Sequence, residues 1–340
     1  MEIGIVGAGI AGLGAAYELR GTDADVTLLE KSRGVGGRAA TRRKNGCTYD
    51  HGANYVTPDP ELEAFMRELG EPAGIDDPVW TFDAEETIEP GEDRDRPSLT
   101  YEDGIRRFAK EVLAECDAAL ETETRVESIA REGERWRVES EERRYGFDAL
   151  ALTPPAPRTA ALLADTDWDA AIREELVEAI EAVPYRTILS LVLHYPFELD
   201  RPYYALVNTD KGHEISWFSR EECKPGHVPD GESLLIVQMA PDWSLERYGE
   251  PEEAVAGAAA GLAADLLEEP PLESPDWTDC GRWRHALPDE GANTDVLARA
   301  EDDALYFAGD WVVGEGRVAA AFENGRELGE RLLQQRDEPL

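Results

Sequence analysis

The residues that could do chemistry begin at the amino end. Gly7-Ala8-Gly9-Ile10-Ala11-Gly12 is a G-x-G-x-x-G, and Glu30 follows 18 residues after Gly12. Each residue type has a task in gripping a dinucleotide. Gly7 permits a tight turn, Gly9 lets the backbone approach a pyrophosphate with no Cβ in the way, and Gly12 lets a helix pack closely on a strand. Unpaired N–H groups at the helix start, with the positive end of its dipole, attract the phosphates. A carboxylate at Glu30 accepts from both ribose hydroxyls and repels a 2′-phosphate.

Those tasks need elements in a set order. Glu2 to Gly7 predicts a short buried strand, the stretch to about Arg20 a helix, and Asp25 to Leu29 a second strand that ends at Glu30. These flanks separate a dinucleotide site from a glycine turn with no ligand.

Arg33-Gly34-Val35-Gly36-Gly37-Arg38, followed by Thr41, fits R-x-x-G-G-R-x-x-[ST], and an NAD site needs no such second glycine pair. Here the sequence resembles the amine-oxidase-like flavoproteins, whose FAD-binding motif continues in this way. More narrowly, Glu30–Arg38 and Asp50-His51-Gly52-Ala53-Asn54-Tyr55 resemble the renalase family. The resemblance implies an α/β protein: a Rossmann-type FAD-binding domain with a second α+β substrate domain built on an antiparallel sheet. It places Gly7, Gly9, Ile10, Ala11, Gly12, Glu30, Lys31, Gly36, Gly37 and Arg38 against FAD, and Ala53, Asn54 and Tyr55 beside its ring. Asn54 stands where bacterial relatives carry Gln; both are amides with a donor and an acceptor.

The carboxyl end carries a second signature. Ala304 to Asp310 reads as a strand ending in Gly309-Asp310, and Gly314 onward opens a helix to Leu333. By resemblance, Asp310 bonds a ribityl hydroxyl or a phosphate-bound water. The helix start at Arg317, Val318 and Ala319 aims N–H groups at the flavin pyrimidine oxygen. The backbone at Val126 contacts adenine, and the strand ending at Thr153 closes the nucleotide domain. Relatives often have Glu-Gly where Ala319-Ala320 stand.

Composition bounds the rest. The 340 residues suggest two domains. The net charge of −39 is spread along the chain, and 42% of residues are hydrophobic, so the sequence predicts a folded protein with an acidic surface and not an acidic tail. Such a surface suits the cytoplasm of a halophile, where salt screens self-repulsion, and it repels nucleic acid. With the nucleotide strand starting at residue 2, no signal peptide is expected, and Ala254 to Ala264 is too short to span a bilayer. Its Gly257-x-x-x-Gly261 predicts close helix packing. Cys47, Cys116, Cys223 and Cys280 are far apart and read as reduced thiols; the five His show no ligand spacing, so no metal is expected. No Cys or His falls in a recognisable attachment motif, so FAD is expected to be non-covalent.

Between the signatures, helices are predicted at 60–69, 104–120, 168–183 and 251–267. Strands are predicted at 79–82, 124–129, 147–152, 185–195, 203–207, 215–218 and 233–239, with a meander near Trp136 and a solvated loop or lid at 83–97. The nucleotide domain is assigned to 1–57, 99–157 and 279–340, and the substrate domain to 58–98 and 158–278. Trp80, Trp217, Trp243 and Trp283 are candidates to line a pocket with Tyr55. Trp283-Arg284-His285-Ala286-Leu287-Pro288 resembles the family's W-x-x-A-x-P segment; His285 and Asn54 are the catalytic candidates.

The expected reaction is hydride transfer from a small electron-rich substrate to flavin N5, then oxidation by O2 to give H2O2. The renalase resemblance implies 2- or 6-dihydroNAD(P) isomers as substrate. The rivals are an amine oxidase or dehydrogenase of the same fold, a carotenoid-type desaturase or isomerase, and a non-catalytic flavin-binding protein. Amine oxidases of this fold usually place a Lys near N5, and none of Lys31, Lys44, Lys110, Lys211 and Lys224 falls in a recognisable motif for that.

Overall fold

The computed structural model describes residues 1–92 and 95–337. The chain forms two compact units: residues 1–39, 108–185 and 287–340, and residues 40–107 and 186–286. Residues 40–57, 99–107 and 279–286, assigned from sequence to the nucleotide domain, group with the second unit, and 158–185 group with the first.

The first unit is built on a five-stranded parallel sheet in the order 305–307, 149–152, 2–6, 25–29, 119–121. Strands covered on both faces need near-continuous apolar residues, which Ala149–Leu152 and Leu305–Phe307 supply with every residue buried. Helix Ile10–Glu18 starts directly after the glycine turn. It packs closely on the last helix, Val318–Asp337: a Cβ on Gly325 would sit 2.1 Å from the Ala11 carbonyl oxygen. An antiparallel sheet of 126–132, 135–140 and 144–147 lies in the same unit.

Two local expectations change here. The helix predicted over 104–120 stops at Ala114, and Ala119–Glu121 becomes the edge strand beside Thr27–Leu29. Asp117 accepts from Gly21 N at 2.9 Å, so it serves the turn and not a helix. The strand ending at Thr153, expected to close the nucleotide domain, is followed in the same unit by a helix at Ala156–Ala164 that opens on prolines. Proline is well placed in a first turn, where its missing N–H has no partner to lose. This helix and Ala170–Glu181 contribute Leu162, Leu163, Leu176 and Ile180 to the core around Trp136 and Trp311.

The second unit is built on a seven-stranded sheet in the order 277–288, 185–195, 233–239, 215–220, 205–208, 79–82, 88–89. One pair departs from the antiparallel expectation: 79–82 runs parallel to 205–208. The short strand 88–89 pairs with 81–82, so part of the predicted 83–97 loop extends the sheet; 93–94 lie outside the described residues. Helix Glu252–Leu266 lays Val255, Ala256, Ala259, Ala260 and Ala263 into the core. Gly257 and Gly261 are not at that contact, since a Cβ on either would meet nothing within 4 Å. The alanines one position round the helix make the close approach instead.

Candidate functional site

In the first unit the glycine turn is shaped by backbone. Gly7 has φ +102°, and a Cβ on Gly12 would lie 2.1 Å from the Gly7 carbonyl oxygen. A Cβ on Gly9 would meet nothing within 4 Å. Two of the three glycines are therefore required by the fold, and the third opens onto free space. The helix that follows has no side-chain cap and no acidic residue in its first turn. Its N–H groups at Ile10, Ala11 and Gly12 stay available to an anion.

The second glycine pair lies against this turn. Gly36 N donates to Ala8 O at 2.9 Å, and Gly9 and Gly36 form a parallel bridge. Glu30 is 7% exposed; one carboxylate oxygen accepts from Ala8 N at 2.9 Å and the other from Ser32 N at 2.8 Å. Each oxygen keeps a second lone pair that could accept a ribose hydroxyl. Lys31 is exposed.

Arg38 and Asp310, far apart in sequence, form an ion pair at 2.7 Å. Burial acts to lower the Arg38 pKa, but Asp310 and Tyr185 outweigh it and raise it, so the cation is locked on. Gly309, with φ +149° and a would-be Cβ 2.7 Å from the Trp311 ring, sets Asp310 at the start of a short helix. Gly309 N donates to Asn324 Oδ1 at 2.9 Å. Asn324, buried on the last helix, was missed because no motif marks it. Thr153 Oγ1 donates to Val6 O at 2.8 Å, so it braces the turn from the neighbouring strand. Val126 is buried and its carbonyl accepts from Arg158 at 3.0 Å. Arg317 is exposed just ahead of the last helix, and Val318 begins that helix half-buried.

In the second unit the loop 51–55 lies on the seven-stranded sheet. Gln238 Nε2 donates to Gly52 O at 3.0 Å, and Ser219 Oγ is 3.5 Å from Asn54 Oδ1. Tyr55, Tyr204 and Trp217 form an aromatic group with centroid separations of 6.0 to 6.3 Å. Trp217 Nε1 is buried without a hydrogen-bond partner. Trp80 packs on Tyr203 at 5.3 Å. Trp243 is a core residue, 7% exposed in the cluster under helix 252–266, and is withdrawn from the pocket. Trp283 stacks on His51 at 5.2 Å and donates from Nε1 to His51 O at 2.8 Å. Burial first, then Arg42, pushes the His51 pKa down to about 4, so the ring is neutral near pH 7. His285 is half-buried on strand 277–288.

Beside this loop sits a charged knot that sequence reading passed over. Lys224 is 1% exposed; its Nζ lies 3.0 Å from Asp50 Oδ2 and 2.7 Å from Glu221 Oε1. Asp50 Oδ1 also accepts from Thr41 Oγ1 at 2.6 Å and Ile105 N at 2.9 Å. His227 Nε2 faces Tyr101 O and its Nδ1 faces Glu221 Oε2, each at 2.9 Å. A carbonyl only accepts, so Nε2 donates. Burial raises the Glu221 pKa, but Lys224 and His227 overcome this and hold it below the ordinary carboxyl range. Asp50, Glu221 and His227 have metal-like donor spacing, but the Lys224 ammonium stands among them as the cation.

Comparison with known proteins agrees with this architecture. Residues 5–69 match the NAD(P)-binding Rossmann-like domain, and residues 74–333 match the flavin containing amine oxidoreductase model. Protoporphyrinogen oxidase 2 of Arabidopsis thaliana is 39% identical over 70 residues, 20% of this chain and 14% of that protein. A 4,4′-diapophytoene desaturase of Staphylococcus haemolyticus is 40% identical over 70 residues, 21% of this chain and 14% of its own length. These curated relatives are thus matched over a small part of their length. Among solved structures, a putative protoporphyrinogen oxidase from Exiguobacterium sp. 255-15 superposes with TM-score 0.80 at 15% identity, covering 98% of this chain and 99% of that one. Reduced UDP-galactopyranose mutase does so with TM-score 0.77 at 12% identity, covering 99% and 96%. Among the described residues no helix is long and apolar enough to cross a membrane. FAD is the cofactor, and the chain belongs to the flavin containing amine oxidoreductase family.

Proposed function

We propose that the protein is a renalase-like oxidase of 2- or 6-dihydroNAD(P) isomers, with O2 as electron acceptor and NAD(P)+ and H2O2 as products. Bound FAD supplies a hydride acceptor that O2 can reoxidise. The Gly7–Gly12 turn and Gly36-Gly37 loop hold its pyrophosphate, Glu30 its ribose, and Asp310 and the start of the last helix its remaining polar groups; the attachment is non-covalent. Such oxidation takes no proton from the donor, so it needs no protein base. That agrees with a neutral His51 and leaves His285 with no obligatory role.

The observation that carries the reading is the Tyr55–Tyr204–Trp217 group with the unpartnered Trp217 Nε1. Tyr55 and Trp217, half-buried over the fully buried Tyr204, offer flat apolar faces and one unused donor, the complement of a planar ring bearing a carboxamide. Asn54, anchored near Ser219, is the amide placed to orient it. Orientation of this kind supplies rate by proximity.

Amine oxidation is the second reading, favoured by the family match over 74–333. The lysines do not favour it: Lys31, Lys44, Lys110 and Lys211 are exposed, and Lys224 is sealed between two carboxylates. Anaerobic stopped-flow reduction in molar salt tests both. Fast bleaching by borohydride-made dihydronicotinamide isomers is expected; bleaching only by amines supports the second reading, and bleaching by no donor supports a non-catalytic flavoprotein. Salt separates the two readings further. A chain of charge −39 repels an anionic dinucleotide and attracts an ammonium. Raising salt should lower KM for a dinucleotide and raise it for an amine. The acidic surface further supports a cytoplasmic protein of a halophile, tested by a melting temperature that rises with KCl.

A further inference from the structure

We propose that Cys47, His194 and Glu232 form a binding site for a thiophilic divalent cation of the zinc class, with Asp276 orienting His194. One donor atom from each of the three lies within 4.8 Å of the other two. Strand pairing brings them together: His194 is the register partner of Leu234, two residues beyond Glu232. Cys47, which opens strand 47–50, packs against Val192, Leu234 and Ile236 of the same strand pair. His194 Nε2 is 2.9 Å from Glu232 Oε2.

The surroundings suit an ion. Cys47 is 1% and His194 5% exposed, whereas the side chains of Glu232 and Asp276 are 35% and 59% exposed. The floor is dry and the mouth is open. Thiolate, imidazole and carboxylate are all zinc donors, with bonds of about 2.0–2.3 Å that put paired donors roughly 3.3–3.6 Å apart. A set already within 4.8 Å reaches that spacing by side-chain rotation. His194 Nδ1 is buried without a hydrogen-bond partner and lies 3.6 Å from Asp276 Oδ2. With Nε2 on a metal, Nδ1 carries the proton towards that carboxylate, as ligating histidines usually do. Trp277 stacked on the ring at 4.9 Å and 11° holds its plane.

Ligation replaces the Cys47 thiol proton with the metal; the proton goes to solvent and no electrons move.

The test is zinc retention by the flavin-loaded protein after chelator stripping, addition of Zn2+ and gel filtration. About one zinc per chain is expected, falling at least tenfold in Cys47→Ser and His194→Asn and unchanged in Cys280→Ser. Asp276→Asn should weaken affinity roughly 10–100-fold, as loss of an orienting carboxylate does. Flavin content reports folding of each variant. Because a buried variant can misfold, the wild type is also titrated with Cd2+, where a thiolate-to-cadmium ultraviolet difference band is expected. No such band, less than a tenth of a zinc per chain, or full retention by a flavin-loaded Cys47→Ser variant would overturn the proposal.

Discussion

The glycine turn of the first unit and the charged knot of the second handle charge by opposite means. At Gly7–Gly12 the donors are backbone N–H groups, and the side chains are deleted to expose them. At Asp50, Glu221, Lys224 and His227 the polar groups are all on side chains, gathered from two stretches about 170 residues apart and closed off from water. A backbone site leaves its donors exposed at the turn. A side-chain knot is complete in itself, and removing one member strands the rest.

Four changes test that contrast, the largest effect first. Gly9→Leu should abolish flavin uptake, a loss of over a hundredfold in affinity, yet leave the melting temperature of the flavin-free protein nearly unchanged. Its new side chain enters space where a Cβ meets nothing within 4 Å. Absorbance of the bound flavin and calorimetry of the stripped protein read the two halves; a cofactor-free protein that melts far lower would break the contrast.

Lys224→Met should do the reverse. Breaking a buried pair leaves the Asp50 and Glu221 carboxylates buried without their ammonium, at a cost of about 3–5 kcal/mol. Melting should fall on the order of 10 °C while residual flavin affinity changes little. The knot also has a pH signature. Glu221 is held below the ordinary carboxyl range, so its contribution is present above that range and lost as pH falls through the folded value. Burial opposes the Lys224 charge, but Asp50 and Glu221 raise its pKa, so its contribution is lost only as pH rises past that elevated value. Between these limits the wild type should show little pH dependence from this knot.

His51 gives a smaller effect of defined sign. Its folded pKa of about 4 lies below the ordinary value of 6.5, so the unfolded chain takes up the proton first. Stability should therefore decline as pH falls from 6.5 to 4, by up to roughly 3 kcal/mol. His51→Gln should flatten that part of the curve in pH-dependent urea melts. An unchanged slope would show that the ring does not titrate as its burial requires.

Asn54→Ala should leave flavin content and melting within error, and raise KM for a dihydronicotinamide by roughly tenfold, the worth of one or two hydrogen bonds. A fall in kcat with KM unchanged would place Asn54 in the hydride-transfer step and not in substrate binding.

The uneven legibility of the two units follows from the same contrast. Gly7, Gly9, Gly12 and Glu30 could be read in advance because a backbone cradle must be local: one turn, one helix start, one strand end. In the structure a Cβ on Gly12 would lie 2.1 Å from the Gly7 carbonyl oxygen, and one on Gly9 would meet nothing within 4 Å. The long strand 185–195 and the helix 60–69 were equally clear from their patterns. Trp243 was misread because an aromatic residue carries no mark of which face it takes. The 104–120 helix was overextended because Ala119–Glu121 is a strand only by pairing with Thr27–Leu29. Asn324 and Lys224 carry no motif at all; their roles depend on partners 15 and 174 residues away.

By itself the sequence determined the strand, glycine turn and helix at the amino end, the sheet they belong to and the acidic composition, since each rests on neighbours in the chain or on composition alone. Only the tertiary structure decided which polar side chains meet: Lys224 with Asp50, Arg38 with Asp310, and His194 with Glu232 beside Cys47. The physical reason is range. Backbone geometry and burial pattern act over a few residues, whereas a Coulomb contact depends only on distance in space, and strand pairing sets that distance.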